Sequence, residues 1–526
     1  MNAVFVKAAV VANAVGLLIA AGSALCQSAV SILKVAPQTM PSVGSVDERF
    51  QSYNIEMVEV TGGRFWKPYA SKSNAGAPNA PSGNQPAGMD PSMYEYRPPI
   101  DLSNPRLRKL ALALGPAYLR VSGTWANTTY FDPAGEMKTP PDGFKGVLTG
   151  AEWKGVVEFA RDANAELVTS FATSAGTRDA AGVWTPAEAQ KVADFTKSVG
   201  GRIAAAEYMN EPTFAEIGGA PKGYDAAAFG RDLTVFRAFA KKALPGMLLL
   251  GPGGVGEGAS LVPASMHLVA TADIFAATGP VFDVVSYHSY SGVSSRCGGK
   301  VAGSVEDAAL SATWLASSDT IEQFYARLRD QYEPGKPLWN TETAQAACGG
   351  DRWASTFLDS FRYLNQLGDL AKRGVQVQMH NTLAASDYGL LDEKTYAPRP
   401  NYWSALLWKK LMGTTVLDAG SSQPPNLHLY AQCLPKHPGD VALLAINVDR
   451  TAPLSMSLPL EAERYTLTAP ELMGTRILLN GKELALGSED ALPALEGEPQ
   501  KPGPITLAPV SITFLAFPTA HNASCK

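Results

Sequence analysis

The chain has 526 residues, of which 46% are hydrophobic and 18% charged. That is enough for one large globular domain with a smaller companion, and too apolar for a disordered chain. A formal net charge of −5 leaves no basic footprint, so no nucleic-acid partner is expected, although a local cleft can still bind an anionic sugar.

At the N-terminus, Lys7 precedes an apolar run of small residues from Ala8 to Ala21, and small residues then allow a cut after Ala24 or Cys26. The pattern reads as a signal peptide over residues 1–26, too short for a membrane span, and implies a secreted or periplasmic protein. Cys26 raises a lipid-anchored form, but Leu25 suits lipidation poorly. No other stretch reads as transmembrane, so no stable membrane partner is expected. Without Cys26, the cysteines are Cys297, Cys348, Cys433 and Cys525. An even number in an exported chain permits two disulfides, in three connectivities. No metal site is expected, because there is no Cys-x-x-Cys or His-x-x-x-His pair.

Eight apolar strand candidates then follow: Tyr53–Val60, Ala117–Val121, Glu166–Phe171, Ala204–Met209, Met247–Gly251, Phe282–Tyr287, Pro337–Thr341 and Val375–His380. Amphipathic stretches separate them, at Asn104–Leu114, Trp153–Ala163, Pro186–Val199, Asp225–Ala243, Ile321–Gln331 and Thr356–Lys372. Strands alternating with helices argue for an α/β fold with a parallel sheet, and eight of them for a (β/α)8 TIM barrel over residues 50–415. Lys67–Pro99, rich in Pro, Gly, Ser and Asn, reads as a long loop after the first strand, of the kind that binds or covers a site. Trp339, Trp403 and Trp408 read as packing residues.

Beyond Leu417 the pattern changes to short strands split by turns. Leu427–Gln432, Val441–Val448, Leu454–Leu460, Tyr465–Ala469, Arg476–Leu479 and Ile505–Phe517 predict an antiparallel β-sandwich. Asn480-Gly481 is a two-residue hairpin signal. Ser31–Val35 adds an early strand, so the second domain is expected over residues 30–49 plus 416–526.

Two glutamates carry the chemistry. Glu211 closes the fourth apolar run, in Tyr208-Met-Asn-Glu-Pro-Thr213, and Glu342 closes the seventh, in Leu338-Trp-Asn-Thr-Glu-Thr343. Between them there is room for about three βα units of roughly 30 residues. Two carboxyls at strand ends of such a barrel are what a retaining glycosidase needs, one to protonate the leaving oxygen and one to attack the sugar carbon. A carbohydrate-binding protein without catalysis is expected to lack one of them. No metal or organic cofactor is implied, since carboxyls and water suffice.

With these motifs, Asp101-Leu-Ser-Asn-Pro-Arg-Leu-Arg-Lys-Leu110, Pro116-Ala-Tyr-Leu-Arg-Val-Ser-Gly-Thr124, the helix Pro398–Thr414 and the stretch Glu471–Gly481, the chain resembles glycoside hydrolase family 79, the heparanase and β-glucuronidase family of clan A. The resemblance implies Glu211 as acid/base and Glu342 as nucleophile. It implies Asn210, Glu56, His288 and Tyr290 as substrate-binding, with Tyr290 holding the nucleophile's carboxylate. Gly349, Gly350 and Tyr388 would meet the carboxylate of glucuronic acid through two amides and a hydroxyl. It also implies a Cys433–Cys525 disulfide, which leaves Cys297 with Cys348. Cys348 stands where heparanase has a tyrosine, and the Lys67–Pro99 loop has no clear counterpart there. The expected partner is a saccharide or glucuronide containing glucuronic acid. The expected activity is a retaining β-glucuronidase acting on chain ends, with an endo-acting, heparanase-like enzyme as the alternative. The loop's few basic residues and the negative net charge favour the first.

Overall fold

The computed structural model describes residues 32–70, 86, 89–259, 262, 268–298, 306–420 and 423–526. The expected leader, Ser31 of the early strand and residues 71–85, 87 and 88 of the long loop lie outside them. Eight parallel strands close into a barrel: β1 (Gln51–Glu56), β2 (Ala117–Ser122), β3 (Ala165–Ser170), β4 (Ile203–Glu207), β5 (Leu248–Gly254), β6 (Val284–Tyr290), β7 (Leu338–Ala344) and β8 (Val377–His380). Each lies beside its neighbours in chain order, and β8 closes onto β1. The ring of helices is α1 (Pro105–Ala113), α2 (Gly150–Asp162), α3 (Ala187–Ser198), α4 (Ala226–Ala243), α5 (Thr271–Thr278), α6 (Ser317–Tyr332), α7 (Phe357–Lys372) and α8 (Pro400–Leu411). Their starts are set locally. Asn104 accepts from the Arg106 and Leu107 amides ahead of Pro105, Thr149 and Glu152 form a capping box, and Asp225 caps α4.

Alternation along the strands fills the barrel in layers. Tyr118, Val168, Ala205, Leu250, Val284, Trp339, Val377 and Met379 form a closed apolar floor. Trp339 packs against Tyr118 inside it, with ring centroids 4.8 Å apart and the rings tilted by 42°, as the packing reading expects. Two residues further along the same strands the inward positions turn polar: Arg120, Glu207 and Ser286, all buried. Side chains i and i+2 share a face of a strand, so floor and mouth are one pattern read two residues apart.

Two expectations are corrected at their boundaries. The run Tyr53–Val60 is not one strand. It ends at Glu56, where a capping box between Glu56 and Glu59 starts a short helix, Met57–Thr61. Ile505–Phe517 divides into Gly503–Leu507 and Ser511–Phe517, broken at Pro509 and a left-handed Val510 (φ 42°).

The second domain is a β-sandwich. A nine-stranded sheet built around Leu427–Cys433, Val441–Asn447, Ser511–Phe517 and Ala462–Thr468 faces a three-stranded sheet of Leu33–Lys34, Leu454–Leu458 and Gly503–Leu507. Leu33–Lys34 pairs in parallel with Leu454–Leu458 and ties the two ends of the described chain together. The large sheet is buried on both faces. Leu443 and Ala445 point to the small sheet, while Ala442, Leu444 and Ile446 join the core shared with the barrel. Asn480 and Gly481 form the expected two-residue turn, both with positive φ, between Leu478–Leu479 and Lys482–Glu483. Among the described residues no helix is long and apolar enough to cross a membrane.

Candidate active site

The C-terminal ends of the strands open into a cavity of about 310 Å³. Glu56, Asn210, Glu211, His288, Tyr290, Glu342 and Tyr388 all line it, so most of the residues singled out from the sequence meet in one place. Glu342 reaches it through an irregularity. Tyr287 pairs with Asn340 but His288 pairs with Glu342, so one extra residue enters β7. Such a bulge re-aims the chain. Thr341 and Glu342 therefore both serve the barrel interior, where strict alternation would turn one of them away.

Glu342 is buried and held at both oxygens. The Tyr290 hydroxyl donates to Oε1 at 2.5 Å, and Arg120 Nη1 donates to Oε2 at 2.9 Å. Arg120 is itself buried and bridges three acceptors: it also donates to Glu207 Oε2 at 2.8 Å and to Asn210 Oδ1 at 2.7 Å. Glu207 takes two further hydrogen bonds, from Ser286 and Thr341 at 2.8 Å each. Burial alone disfavours its charge, but Arg120 and His288 outweigh burial and hold the Glu207 carboxyl well below the usual range. A buried guanidinium is tolerable only when it is paired and its donors are used, as they are here. Tyr290 stays protonated, because burial and the adjacent Glu342 charge both raise it.

Glu211 takes a left-handed backbone conformation (φ 48°, ψ 62°) just before Pro212, uncommon for a residue with a side chain. His288 Nδ1 lies 3.0 Å from its Oε1. Burial disfavours a charged His288, but Glu342, Glu207 and Glu211 outweigh it and raise its pKa to about 9. A protonated His288 donates from Nδ1 to Glu211 Oε1, which leaves Oε2 outside that hydrogen bond. Burial pushes the Glu211 carboxyl up; the His288 hydrogen bond opposes this and the Glu342 charge adds to it. One carboxyl oxygen each from Glu211 and Glu342, with a His288 ring nitrogen, lie within 4.8 Å of one another. An approach of this order is compatible with a retaining pair, whose carboxyls lie about 5–5.5 Å apart.

A second group sits across the cavity. Asn381, just past β8, donates to Glu56 Oε1 at 3.0 Å and lies 3.2 Å from the Tyr388 hydroxyl and 3.3 Å from that of Tyr290. Burial and then the Glu342 charge raise the Glu56 carboxyl well above its usual range. Gly123 (φ 90°) is required beside it, since a Cβ there would fall 1.4 Å from Glu56 Oε2. Glu56 Oε2 and Asn210 Nδ2 are buried without a hydrogen-bond partner among the described residues.

Gly349 and Gly350 lie behind this wall rather than in it. Neither lines the cavity, and the Gly350 amide donates to Ala346 at 3.1 Å. A Cβ on Gly350 would press 3.1 Å from that of Tyr388, so the glycine lets the β7 loop seat the Tyr388 segment. Both disulfides form, Cys433–Cys525 and Cys297–Cys348, and the second fastens the β6 loop to the loop bearing the glycines. The long loop after β1 begins and ends as a hairpin, Gly63–Trp66 with Tyr94–Arg97. Tyr69 anchors it: its hydroxyl meets Ser294 and Ser295 at 2.8 and 2.7 Å, and its amide meets Asp387.

Sequence reasoning missed Arg120, Glu207 and Asn381. Arg120 lies inside an apolar run, where a buried arginine demands partners. Those partners are 87 and 222 residues away, so no local pattern names them.

No protein-family profile matches the chain. It is similar to heparanase-like protein 1 of Arabidopsis thaliana, at 27% identity over 493 residues, covering 81% of this chain and 86% of that protein. It is similar as well to the hyaluronoglucuronidase of Hirudo nipponia, at 27% identity, covering 81% and 92%. Among solved structures, a 4-O-α-L-rhamnosyl-β-D-glucuronidase from Fusarium oxysporum superposes with a TM-score of 0.62 at 13% identity, over 92% of this chain and 100% of that one, a likeness of fold.

Proposed function

This chain belongs to glycoside hydrolase family 79, the heparanase and β-glucuronidase family of clan A, and on that premise we propose that it is a retaining β-glucuronidase. The observation that carries the reading is the close approach of the Glu211 and Glu342 carboxyls, within 4.8 Å. Glu342 attacks the anomeric carbon while Glu211 gives its Oε2 proton to the departing oxygen. A glucuronosyl ester on Glu342 results. Glu211, now a carboxylate, then takes a proton from the water that cleaves this ester, and the acid is restored. Arg120 and Tyr290 aim Glu342. His288 fixes which Glu211 oxygen bears the proton.

Within the proposal, Asn210 and Glu56 take sugar hydroxyls through their unpartnered atoms. Tyr388 takes the glucuronate carboxylate, and Gly349 and Gly350 shape its support. The anchored hairpin after β1, whose Trp66 lines the cavity, favours action on chain ends over cleavage inside a polymer. The protein would be secreted or periplasmic, which its two disulfides favour.

The test is hydrolysis of a chromogenic β-glucuronide beside the matching β-glucoside, by wild type and Glu342→Gln. We expect turnover of the glucuronide alone, lost in the variant. Turnover of the glucoside instead would overturn the carboxylate assignment.

A further inference from the structure

The cavity has two unlike halves. The half around Glu342 holds most of the polar groups, from β1, β6, β7 and the segment after β8, together with apolar Trp66, Trp125 and Val293. The other half follows Glu211, and the residues after β4 and β5 together with the start of α6 supply it: Phe214, Ile217, Val255, Val262 and Ile321. The two loops are tied together, since Thr213 Oγ1 accepts from the Val255 amide at 3.1 Å and donates to its carbonyl at 3.0 Å. Gly256 packs so tightly that a Cβ there would lie 2.8 Å from Val262 and 3.1 Å from Phe214. This apolar surface is therefore a built wall.

Charge is scarce on that wall. Among the described residues no lysine or arginine lines the cavity. Among the described residues on this side, the ionisable group besides Glu211 is Glu257, which is taken up by α5. Its carboxylate accepts from the Thr271 amide at 3.1 Å and from the Thr271 hydroxyl, at the helix end where an anion is stabilised. Nearby Arg296 lies outside the lining and is engaged by Asp387 and the Cys348 carbonyl.

An acid that protonates the leaving oxygen sits on the side where the leaving group lies. From this placement we propose that the enzyme's leaving-group subsite takes a flat, uncharged aromatic alcohol, a phenol carried as its β-glucuronide, and discriminates against a sulfated amino sugar. The inference rests on the glucuronidase reading above. A sulfate there would be desolvated among apolar side chains beside a carboxylate, with no cation among the described lining residues to meet it. An aromatic ring would bury its faces against Phe214, Ile217 and Ile321. The cavity lies at the lower end of the ~300–1,000 Å³ usual for small-ligand sites, a size that suits a monosaccharide and a small ring system.

The experiment compares kcat/KM of the full-length enzyme on four substrates. They are β-D-glucuronosyl fluoride, 2-naphthyl β-glucuronide, and glucuronosyl-β-N-acetylglucosamine with and without a 6-sulfate. The fluoride has almost no leaving-group bulk, so its hydrolysis reports the glucuronate half alone. We expect all four to turn over, the sulfated disaccharide most slowly and the naphthyl substrate at least tenfold better than either disaccharide. In Ile217→Lys and Ile321→Lys the naphthyl-to-sulfated ratio should fall at least tenfold. Good turnover of the fluoride with the sulfated disaccharide preferred would overturn the proposal and leave the glucuronidase reading standing. No turnover of any of the four, fluoride included, would overturn the glucuronidase reading itself.

Discussion

The floor of the barrel and its mouth are built by the same strands two residues apart, and they solve opposite problems. The floor at Tyr118, Leu250 and Trp339 excludes water with closely packed apolar side chains. The mouth at Arg120, Glu207 and His288 buries charge, and each charge there is met by an opposite one or by a directed hydrogen bond. Removing an atom from the floor leaves a cavity. Removing one from the mouth leaves a buried charge without its partner. The first is felt as lost stability alone, the second as lost stability and lost chemistry together.

The largest break is at the mouth's reacting carboxyl. Glu342→Gln should keep the fold, since an amide replaces a carboxyl of equal size, and lower kcat by about 10⁴-fold or more. Steady-state kinetics beside a circular-dichroism melt would check both halves. Arg120→Met comes next: it strands Glu207 and Glu342 as buried charges and should cost about 3–5 kcal/mol in urea unfolding, with activity lost as well. Leu250→Ala sharpens the contrast from below. It should cost about 2–5 kcal/mol, while kcat per folded molecule changes less than about threefold.

How much of this could be read in the sequence follows the same division. The eight strands were legible because their apolar runs alternate with amphipathic helices, and Glu211 and Glu342 because each ends such a run. The barrel strand whose reading ran furthest past its end, Tyr53–Val60, alternates apolar and polar residues up to Met57 and keeps apolar Val58 and Val60 beyond it, so the run carries no break where the strand stops. The capping residues Glu56 and Glu59 mark the change, and they resemble any other pair of acids until the turn forms. The expected strand Ile505–Phe517 contained its own breaker in Pro509. The short α5 was passed over because Thr271–Thr278 has little amphipathic pattern. The Arg120 network was out of reach for a different reason: its partners lie on β4 and β7, and only closing the barrel brings them together. Gly349 and Gly350, expected to meet the sugar's carboxylate, do not line the cavity: a Cβ on Gly350 would meet Tyr388 and one on Gly349 would meet Trp66, Arg296 and Ser386.

A smaller effect separates floor from mouth by pH. The folded-state pKa of His288, about 9, lies above the ~6.5 of a free histidine, so the folded protein binds this proton more tightly than the unfolded chain. Its contribution to stability is therefore complete below pH 6.5 and is lost as pH rises through 9. Urea unfolding of wild type between pH 6 and 9.5 should show that decline. His288→Gln should flatten it, and Leu250→Ala should lower the whole curve while keeping its slope.

The central claim is that Glu342 forms a covalent ester with the sugar while Glu211 serves as acid and then base. The most direct measurement is incubation with 2-deoxy-2-fluoro-β-D-glucuronosyl fluoride, followed by peptide mass mapping. The account predicts one fluoroglucuronosyl adduct per chain, on Glu342, with activity returning as the ester hydrolyses. An adduct on Glu211, or substrate turnover that releases the α-anomer first with no adduct formed, would contradict it.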